Sequence, residues 1–551
     1  VGAASATLID HIWFSSPTSL SSSGILFSNI SDHFPTFLSI ESISHQTRNP
    51  RISVTRRENG EHCKRSFAAE LSGVDWSEVF QLTCPEASYD IFSETVSKLY
   101  NRNFPMKTKY VKILDLEKPY ITSDIKELIR EKHRLQKKYC KFPVKYASIY
   151  KKVRNKVNSK VRHARNKYCR SKLMESAGNM RSSWKVVNSL LGRRRENASN
   201  SDQEFIINGK VISDPKEVAS GFNHYFANVG STLSRNFDKN SDKYMNYLPH
   251  HSDISMNFRE LSVTDIKKIV KDLRPSSPGY DDIPISIYKD NIDALASVIC
   301  RICNLSLSVG VFPSKLSVAR VVCLFKANDP QLLKNYRPVS VLPSFGKILE
   351  KIVTVQLTEY LEVNNLLCSE QFGFRKGLSA ESALQSLCSN LYDAFDNGKI
   401  AIGVFIDLAK AFDSLDRAKL LVKLESYGIK GTALAWIKSY FSNRRQYVSY
   451  SGVNSSVLSV DYGVVQGSTV GPVLFLVYMN DIVYSSKRIR FIMYADDTNL
   501  FSSSSTIVDN MINLYAELDK VLLWFKENCL TLNVDKSHFV VFSRKRDSIQ
   551  I

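Results

Sequence analysis

Phe491-Ile-Met-Tyr-Ala-Asp-Asp-Thr-Asn-Leu-Phe501 is an apolar run that stops at two adjacent carboxylates and resumes at Leu500-Phe501. Alternation broken at Asp496-Asp497 predicts a β-hairpin with the acids at its turn. Side-by-side acids repel each other unless a cation lies between them, so the pair needs either open water or a metal. A solvated hairpin tip is the plain alternative for these two acids taken alone. Hard oxygen ligands suit Mg²⁺, which keeps some waters and takes substrate phosphates as its other ligands. Upstream, Ile400-Ala-Ile-Gly-Val-Phe-Ile406 reads as a strand ending at Asp407, followed by helix periodicity through Leu420, Leu424 and Tyr427. A buried strand with a carboxylate at its C-terminal end is a common foundation for a metal site. Asp407, Asp496 and Asp497 can therefore form a three-carboxylate clamp on two cations for in-line phosphoryl transfer.

Between these acids lies Gly463-Val-Val-Gln-Gly-Ser-Thr-Val-Gly-Pro472, a small-residue loop feeding the apolar helix that runs toward Asp481. Glycines there let backbone approach a ligand closely, and Pro472 fits the first helical turn. Strand-Asp407, the Gln466-Gly467-Ser468 loop and Tyr494-Ala495-Asp496-Asp497 together resemble the palm motifs of reverse transcriptases, in particular those of non-long-terminal-repeat (LINE-type) retrotransposons.

That resemblance implies roles for further residues. Arg337 matches the fingers arginine that contacts the incoming nucleotide, and Lys326 its lysine neighbour. Phe412 matches the aromatic under the sugar, Gln466 the residue that positions template or nucleotide, and Lys536 the lysine near the leaving pyrophosphate. The backbone carbonyl of Leu408 is implied as an extra metal ligand. Gln371-Phe-Gly-Phe-Arg375 fits the template-gripping segment, although Ser379-Ala380 stands where the family has Ser-Thr. Val465 stands where Pro is expected, and Thr469-Val470 where an apolar pair is usual.

The chain has 551 residues, 43% of them hydrophobic and 11% aromatic, which supports buried cores and a multi-domain chain. No apolar run approaching a membrane span and no secretory leader is expected. Val1 in place of Met suggests that the sequence starts inside a longer reading frame. Ten cysteines are scattered, and Cys300-Arg-Ile-Cys303, in a helical pattern without a second pair, reads as buried thiols in a reducing compartment. The formal charge of +20 is concentrated: Lys126 to Lys172 holds eighteen Lys or Arg against Glu127 and Glu131, a net of +16. Such a block reads as a polyanion-binding arm, with a solvated helical face as the alternative.

Near the start, His33, preceded by Asp32 and followed by a strand, can be a general base oriented by a second carboxylate such as Asp10, with a surface-loop histidine as the plain alternative. The same stretch resembles the closing strands of the apurinic-endonuclease-like domain that precedes many LINE-type polymerases. In that resemblance His33 is the catalytic base, Asp10 its orienting partner and Asp32 a site carboxylate. The strands bearing the family's metal-ligand Asn and Glu are missing, so DNA cleavage is not expected.

The expected fold is α+β. A right-hand polymerase with fingers and a split βαββαβ palm is preceded by a basic helical region and a truncated endonuclease-like α/β sandwich. The expected boundaries are 1–40 for that remnant, 41–118 for a linker with one helix around Asp90–Tyr100, and 119–200 for the basic helices. An N-terminal extension of the polymerase (201–305), fingers (306–394) and palm without a thumb (395–551) follow. The expected activity is RNA-directed DNA synthesis with two Mg²⁺ ions, Mn²⁺ being able to substitute. Template RNA, primer DNA and dNTPs are the partners, inside the cell as a ribonucleoprotein of cytoplasm and nucleus. The rival expectation is a truncated element product that binds RNA and DNA without polymerising.

Overall fold

The computed structural model describes the strands Leu20–Ile25 and Thr36–Ile40 and residues 51–112, 120–176, 178, 180–190, 203–235, 237–238, 241–249 and 254–544. Asp10, Asp32 and His33 lie outside the described residues. The chain divides into two compact units, Val1–Glu58 with Pro105–Arg194, and Asn59–Phe104 with Arg195–Ile551.

In the first unit, strands Leu20–Ile25 and Thr36–Ile40 pair antiparallel, as do Arg51–Arg57 and Met106–Lys112. Helices Ser123–Lys141 and Pro143–Glu175 then form an αα-hairpin in the region expected to be basic and helical. Proline cannot donate the backbone bond that would continue the first helix, so the chain breaks at Phe142 and restarts with Pro143 in the first turn. Tyr139 and Tyr150 stack across the hairpin at 5.3 Å, and Tyr120 meets Tyr168 at 6.1 Å. Lys152, Arg154, Lys156, Lys160, Arg162, Arg165, Lys167 and Arg170 are exposed.

The second unit is organised on a four-stranded antiparallel sheet in the spatial order Arg490–Tyr494, Asp497–Ser504, Ile400–Ile406, His538–Phe542. With its intervening helices this is a βαββαβ order. The closing strand starts at His538, after Val534–Lys536 turns as a 3₁₀ segment beside Asp407. Helix Ile507–Glu527 packs on the central strands, and helix Gly471–Met479 is buried on every side from Val473 to Met479.

Residues 41–118 hold the helix expected around Asp90–Tyr100, within Pro85–Asn103, and more structure than a linker. Helices Glu61–Ser72, Ser77–Gln81 and Pro85–Asn103 belong to the second unit's core. Tyr89, Phe92, Val96 and Tyr100 recur at three- and four-residue spacing, and the first two pack on Phe345 at 4.9 and 5.2 Å. A second sheet sets Val318–Phe325 antiparallel to Tyr336–Val341 and parallel to Arg445–Tyr450. In the first of these strands Ala319 and Val321 are buried on one face, Val322 and Leu324 are exposed on the other, and Phe325 is exposed at the strand end. Helix Ile292–Val309 is long and apolar enough to cross a membrane, contrary to the expectation of no such run. It is a core helix with Leu295, Val298, Ile299 and Ile302 fully buried. Its Cys300 and Cys303 are buried thiols, and burial raises the pKa of both.

Candidate active site

Tyr494 pairs with Asp497, leaving Ala495-Asp496 as a two-residue turn with Ala495 at φ 59°. A left-handed conformation at a residue with a Cβ costs about 1–2 kcal/mol, so the turn needs outside support. Glu370 to Gly373 supplies it by running parallel to the first hairpin strand. Met493 N–H donates to Glu370 O and Phe372 N–H to Met493 O, each at 2.8 Å. The Gln371 side chain, 2% exposed, accepts from Ala495 N–H at 3.0 Å and donates to Ala495 O at 3.3 Å.

Asp407 ends the neighbouring strand, where Ile406 pairs with Thr498. The turn after Leu532 holds it. Asn533 Nδ2 donates to Asp407 Oδ2 at 2.8 Å, Asn533 N–H donates to Asp407 O at 2.9 Å, and Asp407 N–H donates to Ser537 Oγ at 3.2 Å. Lys536 Nζ stands 3.7 Å from Asp407 Oδ2. Asp407 and Asp497 share a cleft of ≈ 520 Å³ with Lys536, Tyr494 and Asn499. Burial, then the charges of Asp496 and Asp407, raise the Asp497 carboxyl above its usual pKa. Among the described residues, Lys536 alone forms an ion pair with any of the three acids. Carboxylate oxygens suit a hard divalent cation by their chemistry, although those of Asp407, Asp496 and Asp497 do not all lie within 4.8 Å of one another.

A group of cations complements these acids. Burial lowers the Lys326 amine, and Arg337 and Lys536 lower it further while Asp407 raises it. Burial also lowers the Lys410 amine, Asp413 pulls it up, and Lys326, Arg337 and Lys536 push it down again. Lys410, at φ 52°, donates to Tyr336 O at 3.4 Å. In the sequence it reads as one more lysine on a helix, with nothing to mark it. Leu324 and Arg337 are ladder partners, as are Val322 and Val339, so an exposed apolar strip shares a face with the arginine.

The glycine loop is anchored at both ends. Ser340 N–H donates to Gln466 O at 2.8 Å, and a Cβ on Gly467 (φ 110°) would meet Ser340 O at 2.6 Å. Gln466 Nε2 donates to Asp413 Oδ1 at 2.9 Å, and burial pushes the Asp413 carboxyl up to about 6. Thr469 N–H donates to the buried Glu350, which also accepts from Tyr440 Oη at 2.7 Å. Phe412 is half-buried, stacked on Phe475 at 4.4 Å and edge-on to Phe374 at 6.3 Å. Leu408 is buried beside Leu532. The structure thus places Asp407, Asp497 and Lys536 at one cleft, with Lys326 near enough to feel the charges of Asp407, Lys536 and Arg337. It adds Asn533, Lys410 and Asp413 to the residues found by sequence and gives Gln371 a contact with the acid-bearing turn.

Residues 326–550 match the family model described as reverse transcriptase (RNA-dependent DNA polymerase). This part of the chain is a reverse transcriptase domain. Its relatives include the RNA-directed DNA polymerase from mobile element jockey of Drosophila melanogaster, 27% identical over 55% of this chain and 34% of that protein. The probable RNA-directed DNA polymerase from transposon BS of the same fly is 27% identical over 53% of this chain and 33% of its own length. The putative 115 kDa protein in type-1 retrotransposable element R1DM, also of that fly, is 31% identical over 40% of this chain and 21% of its own. The chain spans about a third of the length of the first two of these curated relatives.

Proposed function

We propose that this chain is the RNA-directed DNA polymerase core of a LINE-type retrotransposon, with Asp407, Asp496 and Asp497 as its catalytic carboxylates. The observation that carries the reading is the juxtaposition of a strand-end acid and a hairpin-turn acid pair with Lys326, Arg337, Lys410 and Lys536, inside a reverse transcriptase domain. In this reading the four-stranded sheet is the palm, and the sheet bearing Lys326 and Arg337 is the fingers. The three carboxylates and the Leu408 carbonyl would hold two divalent ions, Mg²⁺ or Mn²⁺, which when bound lower the pKa of the primer 3′-hydroxyl and neutralise triphosphate charge.

The protein's own groups do the rest. Arg337 grips phosphate oxygens in pairs through its planar fork, while Lys326 and Lys410 add point charges. Lys536 Nζ donates its proton to the departing pyrophosphate. Val322, Leu324 and Val339 give template bases an apolar surface next to Arg337. Because Asp413 can only accept, its bond fixes the Gln466 amide with the nitrogen inward and the oxygen free for template or nucleotide. Primer extension on an RNA template, with and without a divalent cation, tests the reading.

Phe412 packs under the deoxyribose, where a 2′-hydroxyl would collide. Such overpacking costs about 1–3 kcal/mol, or roughly ten- to a hundred-fold in rate. Phe412→Val should therefore raise ribonucleotide incorporation relative to deoxynucleotide by about that factor in single-nucleotide assays. Loss of the Phe475 stack will also lower the melting temperature. Were both activities to fall together, the ring would be only a core residue, whose truncation costs about 2–4 kcal/mol.

The basic hairpin of the first unit binds nucleic-acid phosphates. Neutralising five of its exposed cations, Lys152, Lys156, Lys160, Lys167 and Arg170, should weaken RNA binding. The salt slope should fall by about 0.7 for each single-strand phosphate that the hairpin no longer neutralises. An unchanged slope in a salt titration would make the hairpin a solvated face only.

A further inference from the structure

We infer that Gln371 is a positioning residue for the acid pair and not a template contact: its amide locks the turn that presents Asp496 and Asp497. The inference rests on the polymerase reading for its functional meaning but on local geometry for its content. Gln371 Oε1 accepts from Ala495 N–H at 3.0 Å and from Gly373 N–H at 2.8 Å, while Nε2 donates to Ala495 O at 3.3 Å. Both backbone groups of the left-handed residue immediately before Asp496 are thus bonded to one buried side chain. An amide alone both donates and accepts here without charge; a Glu would lose the donor and add an anion behind two acids.

The rest of the segment is built for the same purpose. A Cβ on Gly373 would meet Ala495 N at 2.3 Å, so only glycine lets the two chain segments approach this closely. Arg375, which the resemblance puts in a template-gripping segment, is already committed. Its Nε and Nη2 donate to Glu362 Oε1 and Oε2 at 2.9 and 2.7 Å, and Nη1 donates to Cys368 O at 2.7 Å. Phe374, at φ 58°, is the side chain of this stretch left half exposed. Template contact from this segment therefore falls to Phe374, and carboxylate alignment to Gln371.

Outer residues that orient metal ligands typically cost ten- to a hundred-fold in metal affinity or activity when changed. The test uses the full chain and two independent variants, Gln371→Met, which keeps volume and loses the bonds, and Gly373→Ala, which pushes the turn. Mn²⁺ affinity is read by electron paramagnetic resonance of the protein alone, and primer–template affinity by fluorescence anisotropy. Thermal melting confirms the fold of each variant. The expected result is Mn²⁺ binding about tenfold or more weaker in both variants, a matching rise in the Mn²⁺ needed for extension, and primer–template affinity unchanged. Unchanged Mn²⁺ affinity in a folded variant overturns the inference, whether or not template binding weakens. If the unaltered chain extends no primer, the polymerase reading fails, yet the Mn²⁺ comparison still decides the role of Gln371.

Discussion

Asp407→Asn, and separately Asp496→Asn, should lower primer extension by about three orders of magnitude or more, because the remaining oxygens cannot hold both cations in line. The substitutions are isosteric. At position 407 the new amide keeps an oxygen for Asn533 Nδ2, and the backbone N–H still reaches Ser537 Oγ. The fold should persist, and primer–template binding should change little, since the basic hairpin and the cations around the cleft are untouched. Removing one negative charge also relieves the crowding that raises the Asp497 pKa. A melting temperature at or above the parent value, beside lost extension, is the expected pair of results. Near-native extension by either variant would disprove the carboxylate assignment.

The largest effect on stability is expected away from the cleft. Lys423 and Asp481 are both fully buried and paired at 2.6 Å. Lys423 Nζ also donates to Tyr478 O at 2.7 Å and lies over the rings of Tyr478 and Trp524 at 4.7 and 4.9 Å. Burial pushes the amine down and the carboxyl up, and each partner opposes the other's shift. The pair ties helix Arg417–Ser426 to the end of helix Gly471–Met479, which leads into the first hairpin strand. Lys423→Met leaves a buried, unpartnered carboxylate and should cost about 3–5 kcal/mol. Lys423→Met with Asp481→Leu should recover most of that loss, since packed apolar groups replace a buried pair at little cost. Urea unfolding of the two variants measures both. A single variant within about 1 kcal/mol of the parent would show that water or a neighbour satisfies Asp481 after all.

Both sequence elements that decide the fold are readable for a simple reason. Ile400–Ile406 and Phe491–Met493 are short apolar runs leading to acids, a pattern that suits strands buried in a central sheet. Asp214 before Pro215 and Asn208-Gly209 likewise mark a helix start and a hairpin turn that the structure contains. Helix Glu61–Ser72 is harder to read, because its apolar positions alternate with charges and its Phe67 packs on Tyr100 and Phe104 further along the chain. Helix Pro85–Asn103 is legible around Asp90–Tyr100, whereas its start is fixed by Tyr89 and Phe92 packing on the distant Phe345. The supporting residues are illegible for the same reason. Gln371 lies 124 residues from Ala495, and Asn533 lies 126 from Asp407. The resemblance marks Gln371 only as part of a template-gripping segment, and Asn533 carries no mark of its role. The one available signal is a lone Gln or Asn beside strand-like apolar residues, where an uncharged polar group is buried only if it is bonded.

In the proposed function this cleft copies RNA into DNA. Purified chain, a synthetic RNA template with an annealed DNA primer, the four dNTPs and Mg²⁺ or Mn²⁺ test it most directly when the products are sequenced. The expected result is divalent-dependent extension whose sequence is the complement of the RNA and which disappears with Asp407→Asn. No extension under either cation, while the chain still binds the primer–template, would contradict the claim and leave a nucleic-acid-binding protein in its place.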